Sequence, residues 1–193
     1  MKQTKSSELQ GDFGVWLVIY VELFTFAILF VGYAIARSQE VEVFNTSQLM
    51  LNKTAGLLNT LLLITASWWV MKAVENVKNI YGDFELKKAS NYLLWAMVMG
   101  AMFVVSKLFE LTDIVEQGIT LSTNTFFTFY LLLALFHLMH VLLGMVVLFN
   151  LYRNTKQGNY TTQEHIGLES GALYWHMVDL LWIVLFSLIY IVR

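Results

Sequence analysis

The fold is decided by residues 169–190, which read ESGALYWHMVDLLWIVLFSLIY. This stretch is long enough to cross a lipid bilayer, since a crossing helix needs about 20 predominantly apolar residues. It nevertheless carries Glu169, His176 and Asp179. An ionisable side chain near the bilayer centre costs at least about 2.5 kcal/mol, so such groups usually face protein and have partners. We therefore expect a membrane helix whose polar side chains point into a helical bundle.

The composition of the whole chain is that of an integral membrane protein. Of its 193 residues, 58% are hydrophobic and only 13% are charged, and the mean hydropathy is +0.61. A soluble domain of this size carries more charge. The net charge of −2 argues against nucleic acid as a partner. Cysteine is absent, which excludes disulfides and thiolate-ligated metals.

Four further apolar runs are long enough to span a bilayer, so we predict a single all-α domain over residues 1–193 with five transmembrane helices. Lys and Arg concentrate at the N-terminus and in the second and fourth connections, which lie on one side of the membrane. Because basic residues stay on the cytoplasmic side, this predicts a cytoplasmic N-terminus and a periplasmic C-terminus. The helices are predicted at about Val15–Ala36, Ala55–Val74, Ala89–Leu111, Phe126–Leu148 and Glu169–Val192.

Four ionisable residues fall at one depth in this arrangement, namely Glu22, His140, His176 and Asp179. At 1.5 Å rise per residue, all four lie roughly 10–15 Å from the cytoplasmic boundary, on three different helices. The pattern favours a buried polar network that locks the helices in register. Two other interpretations stay open. His137 and His140 could ligate a metal or haem from one helix face, or the layer could relay protons.

Lys107 and Glu110 form a second polar feature, near the periplasmic end of the third predicted helix. Their i,i+3 spacing suits an ion pair. We expect this pair at the membrane interface, where the long side chain of Lys107 can reach the polar region.

Several motifs resemble those of the cytochrome c oxidase subunit III family. Tyr174-Trp-His-Met-Val-Asp-Leu-Leu-Trp182 resembles the family's Tyr-Trp-His-Phe-Val-Asp-x-x-Trp signature, and His137-Leu-Met-His140-Val-Leu-Leu-Gly144 resembles its His-x-x-His-Val-x-x-Gly. The entry to the first helix, Gly14-Val-Trp-Leu-Val-Ile-Tyr-Val-Glu22, is similar to its Gly-x-Trp-x-Phe-x-x-Ser-Glu. The chain resembles the short, five-helix bacterial members, which include accessory proteins of nitric oxide reductases.

This resemblance implies a non-catalytic core subunit of a haem–copper respiratory terminal oxidase in the bacterial cytoplasmic (inner) membrane. Such a subunit binds no haem or copper itself, stabilises the catalytic subunit and supports proton uptake during oxygen reduction. The expected partners are the catalytic subunit I, subunit II and membrane lipids, including bound phospholipid. The family's membrane-buried carboxylate corresponds to Glu22.

Three alternatives remain at this point. The chain could serve a nitric oxide reductase, or be a small b-type cytochrome, or be a proton-coupled carrier.

Within the polar layer, we expect Glu22 to form a hydrogen bond with His140 or His176, and Asp179 to orient one of these imidazoles.

Overall fold

The computed structural model describes residues 12–78 and 83–192, and the side chains of all of these except 83–85. The described chain is helical, with α1 at Phe13–Gln39, α2 at Val41–Gln48, α3 at Lys53–Lys78, α4 at Asp83–Glu116, α5 at Thr125–Lys156 and α6 at Ile166–Phe186. A π-helical turn, Ser187–Ile191, extends α6. Within the described ranges, five helices are long and apolar enough to cross a membrane, which confirms the five predicted spans.

Most helices run past their predicted spans, because polar residues beyond the apolar run still favour a helix. Glycine marks two of the helix ends. Gly118 follows α4 and Gly158 follows α5, with φ of +76° and +73°. Glycine adopts this left-handed conformation without the steric cost that a Cβ atom brings. The short helix α2 was not predicted.

Helices α3, α4, α5 and α6 form a four-helix bundle in which each helix packs against its neighbours around a ring. The packing is close where Trp175 of α6 meets glycines on two other helices. A Cβ atom added to Gly100 of α4 or Gly144 of α5 would lie 3.0 Å from the Trp175 ring. Small residues let transmembrane helices approach in this way, and here they make room for the indole.

Helix α1 lies outside this ring, against α5 and α6. Only Ile19, Phe26 and Tyr33 are buried along its length, and their spacing of seven residues places them on one narrow stripe. At the other extreme, 61% of the most apolar window of α6 is buried, against 11% for α1. Helix α6 is therefore the most buried of the five spans, and α1 packs on the outside of the bundle.

Candidate functional site

The pair Glu22–His140 joins α1 to the four-helix bundle. The Nε2 atom of His140 lies 2.9 Å from Oε2 of Glu22. The side chain of Glu22 is 26% exposed and that of His140 is 10% exposed. Glu22 follows Ile19 by three residues and precedes Phe26 by four, so it lies on the same stripe of α1 that packs against the bundle. The hydrogen bond that we expected between Glu22 and one of two histidines is thus made to His140.

The hydrogen bond of the second ring nitrogen of His140 limits the ways in which protons can be arranged on this pair. Nδ1 lies 2.7 Å from the carbonyl oxygen of Phe136. A carbonyl oxygen can only accept, so Nδ1 carries hydrogen and donates. A neutral His140 then has a lone pair on Nε2, and Glu22 must donate a proton to it. The alternative is a charged imidazolium facing a carboxylate. In both cases one proton is shared between Glu22 and His140.

Aromatic rings surround the imidazole of His140. The Phe136 ring lies 4.8 Å from it and the Phe26 ring 5.4 Å from it, both at steep angles. Phe26 is fully buried, so the bundle side of the pair is apolar. The partly exposed Glu22 forms the outer side. This geometry suits a group that holds a proton at the rim of the bundle.

The structure separates the other members of the predicted layer from this pair, so the idea of a single network is wrong. Asp179 is 9% exposed and lies against Ser67 of α3, where it orients no imidazole. His176 lines a cleft of about 590 Å³ between α3 and α6. Both residues face α3, whereas Glu22 is bonded to His140 of α5. The position of a residue along its helix predicts its depth in the membrane, but not which neighbouring helix its side chain faces.

The cleft beside His176 is rich in charge. Lys78 lies 2.5 Å from Glu169, and Glu75 also lines the wall. His165 contributes Nε2 at 3.4 Å from the same Glu169 carboxylate. One ammonium group therefore faces two carboxylates in this cleft.

His137 faces the interior of the ring. It is 1% exposed and packs between the rings of Trp182, 5.2 Å away, and Phe103, 5.9 Å away. Neither of its ring nitrogens has a hydrogen-bond partner. Because His140 turns toward α1, the two imidazoles do not converge on one point. The described ranges hold no group of three or more side chains of the types that ligate metals.

A closed polar cluster lies close to His137, built on Lys107 and Glu110. Lys107 is 1% exposed, and its Nζ lies 3.1 Å from Glu110 Oε2, 3.0 Å from the Tyr190 hydroxyl and 3.3 Å from the Tyr130 hydroxyl. Both hydroxyls donate to Glu110 Oε1. Lys107 and Glu110 do form an ion pair, but the expectation that Lys107 reaches toward the interface is wrong.

The burial of Lys107 depends on aromatic groups that the sequence analysis did not connect with it. Its Nζ lies 5.1–5.5 Å from the ring centres of Trp182, Tyr130 and Tyr190. Cation–π attraction of this kind strengthens when the cation is desolvated. Tyr130 precedes His137 by seven residues, a spacing that marks it as facing the same interior. Tyr190 lies in the π-helical turn, and no pattern in the sequence predicted this turn.

Comparison with known proteins identifies the family. The family model described as cytochrome c oxidase subunit III matches residues 3–193. The chain belongs to the cytochrome c oxidase subunit III family. Its members are subunits of haem–copper oxidases, so the chain is a membrane subunit of the respiratory-oxidase type.

Curated relatives of this subunit III chain have both kinds of oxidase in their names. Cytochrome c oxidase subunit 3 of Thermostichus vulcanus is 29% identical, with 92% of this chain and 85% of the relative covered. The subunit 3 of Synechocystis sp. is 32% identical over 93% of this chain and 74% of the relative. Cytochrome bo(3) ubiquinol oxidase subunit 3 of Buchnera aphidicola is 24% identical over 97% of this chain and 89% of the relative.

Proposed function

We propose that this chain is the non-catalytic subunit III of a haem–copper terminal oxidase, where it stabilises the catalytic subunit and supports proton uptake during oxygen reduction. The observation that carries the proposal is the Glu22–His140 pair, which shares one proton. Titratable side chains inside membranes are commonly part of proton pathways. Haem and copper reside in the partner subunits I and II, and this chain supplies structure and proton-holding groups.

The pair lies at the outer surface of the bundle. The side chain of Glu22 is 26% exposed, so its carboxyl group faces that surface, where a neighbouring subunit would have to supply the path for its proton. The basic residues favour a cytoplasmic N-terminus and a periplasmic C-terminus in the bacterial inner membrane. In that orientation, Glu22 lies in the cytoplasmic half of the membrane, the side from which an oxidase takes up protons.

The subunit role is tested by purifying the tagged chain from membranes in mild detergent and recording subunits and an optical spectrum. We expect a haem–copper catalytic subunit and a copper-binding subunit in the eluate. Co-purification with a haem and non-haem-iron subunit would instead assign the chain to nitric oxide reduction. A solitary, colourless chain would contradict the subunit role and favour a carrier, and a solitary chain with a Soret band would favour a b-type cytochrome.

The proton role is tested by Glu22→Gln in the assembled oxidase. Glutamine can still donate a hydrogen bond to Nε2 of His140, but it cannot release a proton. We expect the complex to assemble normally, to take up protons more slowly and to lose activity sooner during sustained oxygen consumption. Glu42→Gln, at an exposed position of α2, serves as the control and should behave as wild type. Unchanged proton uptake in Glu22→Gln would overturn the proton role while leaving the subunit assignment intact.

A further inference from the structure

A second cleft, at the same end of the bundle as the Lys78–Glu169 cleft, has a different charge pattern. It lies between the start of α4 and the end of α5 and has a volume of about 580 Å³. Lys87 and Lys156 line it together with Asn91, Tyr152 and other polar groups. No carboxylate is among its described lining residues. The Lys78–Glu169 cleft contains two carboxylates, so of these two clefts only the second has a net positive charge among its described lining residues.

Both lysines are available to a ligand. Each is exposed, and neither has a described carboxylate within ion-pair distance. The Lys156 Nζ lies 3.3 Å from the Tyr152 hydroxyl and 5.5 Å from the centre of the Tyr152 ring. These contacts hold the ammonium group of Lys156 at the wall of the cleft. Because the hydroxyl accepts from lysine, its own hydrogen remains free to donate.

The floor of the cleft is formed by hydroxyl groups that are already engaged. Ser90 donates to the carbonyl oxygen of Lys87 at 3.0 Å, and Thr155 donates to that of Leu151 at 2.8 Å. Neither hydroxyl can donate to a ligand as well. The side-chain donors left to a ligand are therefore the two ammonium groups, the amides of Asn91 and Gln157, and the Tyr152 hydroxyl. Ammonium groups with neutral donors form a set that suits a phosphate group.

The height of the cleft matches the lipid headgroups. The apolar run of α5 ends near Leu148, and Asn150, Tyr152, Arg153 and Lys156 follow it. Tyrosine and lysine at this distance from the apolar band lie at the membrane–water interface. The lysine residues therefore lie where phospholipid phosphates lie. Basic pockets between helix ends at this level are the kind that bind anionic headgroups.

We propose that the cleft between α4 and α5 binds the phosphate of an anionic phospholipid such as phosphatidylglycerol, held by Lys87 and Lys156. The acyl chains would lie against the exposed apolar side chains of α4 and α5, such as Leu94 and Leu142. This site does not involve the Glu22–His140 pair, and it does not depend on the function proposed above. Zwitterionic phosphatidylethanolamine binds more weakly, because its own ammonium group is repelled by the two lysines.

The test uses the purified chain, together with any subunits that co-purify with it, reconstituted into vesicles of phosphatidylethanolamine mixed with phosphatidylglycerol. Lipids that remain bound after mild detergent extraction are counted by native mass spectrometry. We expect retention of phosphatidylglycerol to fall roughly fivefold for each lysine removed in Lys87→Gln and Lys156→Gln. Both positions are exposed, so the variants should fold as the wild type does, which an unchanged elution profile checks.

The matched control is Lys72→Gln on α3. Lys72 lies at the same end of the bundle and is partly exposed, but it is paired with Glu75 at 2.7 Å. This variant should retain phosphatidylglycerol as the wild type does. An equal loss of phosphatidylglycerol in Lys72→Gln would show that retention depends only on the overall surface charge, and it would contradict the proposed site. Retention that is unaffected by both cleft substitutions would also overturn it.

A second arm separates a lipid phosphate from a soluble one. Inorganic phosphate is added in excess during detergent extraction, and the retained phosphatidylglycerol is measured again. We expect no displacement, because inorganic phosphate lacks the acyl chains that pack against α4 and α5. Displacement by inorganic phosphate would show that the cleft binds a free anion, which contradicts the lipid proposal.

Discussion

Two ionisable pairs of the bundle, Lys107–Glu110 and Glu22–His140, differ in how completely they are enclosed. The Lys107–Glu110 cluster is sealed, with Lys107 1% exposed and Glu110 9% exposed. Its ammonium group has three acceptor oxygens within 3.3 Å. The Glu22–His140 pair has one bond between its partners, and the side chain of Glu22 is 26% exposed.

This difference separates a structural role from a chemical one. A charge that is fully enclosed by partners has no route for exchange, and it fixes the helices that supply the partners. The sealed cluster ties α4, α5 and the π-helical turn together. The Glu22–His140 pair is less enclosed, because the carboxyl group of Glu22 faces the surface of the bundle. The enclosure of Lys107 and Glu110 therefore fits a structural role, and the position of Glu22 and His140 at the surface fits the proton role proposed above.

Lys107→Met is the substitution with the largest expected effect. It leaves the carboxylate of Glu110 buried without its cation, and breaking a buried pair from one side costs about 3–5 kcal/mol. The measurement is the free energy of unfolding of the purified chain in detergent, followed by helical circular dichroism. We expect most of the loss to be recovered in the double variant Lys107→Met, Glu110→Gln, because no buried charge is then left unpaired.

A smaller loss of unfolding free energy in Lys107→Met than in Glu22→Ala would contradict this comparison of the two pairs. Such a result would mean that Glu110 is already neutral or hydrated in the native bundle. The sealed cluster would then no longer be the stabilising element.

The fold could be predicted from the sequence because apolar run length is a strong signal. All five spans were found, since few segments other than membrane helices keep about 20 residues predominantly apolar. Helix α2 was missed because it is only eight residues long. Its buried residues, Phe44, Ser47 and Gln48, do follow helical spacing, but a window suited to membrane spans is too wide to show it.

The candidate site was predicted only in part, because depth along a helix is easier to obtain than direction around it. The bond between Glu22 and His140 was expected, but the same depth argument wrongly added Asp179 and His176. Direction depends on which neighbour each helix face meets, and this is set by packing of side chains such as Trp175. Burial of Lys107 could not be foreseen, since it requires Tyr190, which the π-helical turn brings into place.

Glu22→Ala has an intermediate expected effect on stability. It removes the partner of Nε2 of His140 at the edge of a largely apolar environment, and an unsatisfied polar group costs about 1–3 kcal/mol. Because neither side chain of the pair is fully enclosed, we expect a loss near the lower end of this range. The same unfolding measurement applies. Glu22→Gln, which keeps a donor for Nε2, should be closer to wild type, and equal losses in both variants would argue against the hydrogen bond.

Lys78→Met has the smallest expected effect, although its ion pair with Glu169, at 2.5 Å, is shorter than that of Lys107. The side chain of Lys78 is 36% exposed, and exposed pairs contribute about 0–1 kcal/mol. Glu169 would also keep two stabilising influences. It lies in the first turn of α6, where the helix dipole favours a negative charge, and His165 remains 3.4 Å away. A loss as large as that of Lys107→Met would show that enclosure does not distinguish these pairs.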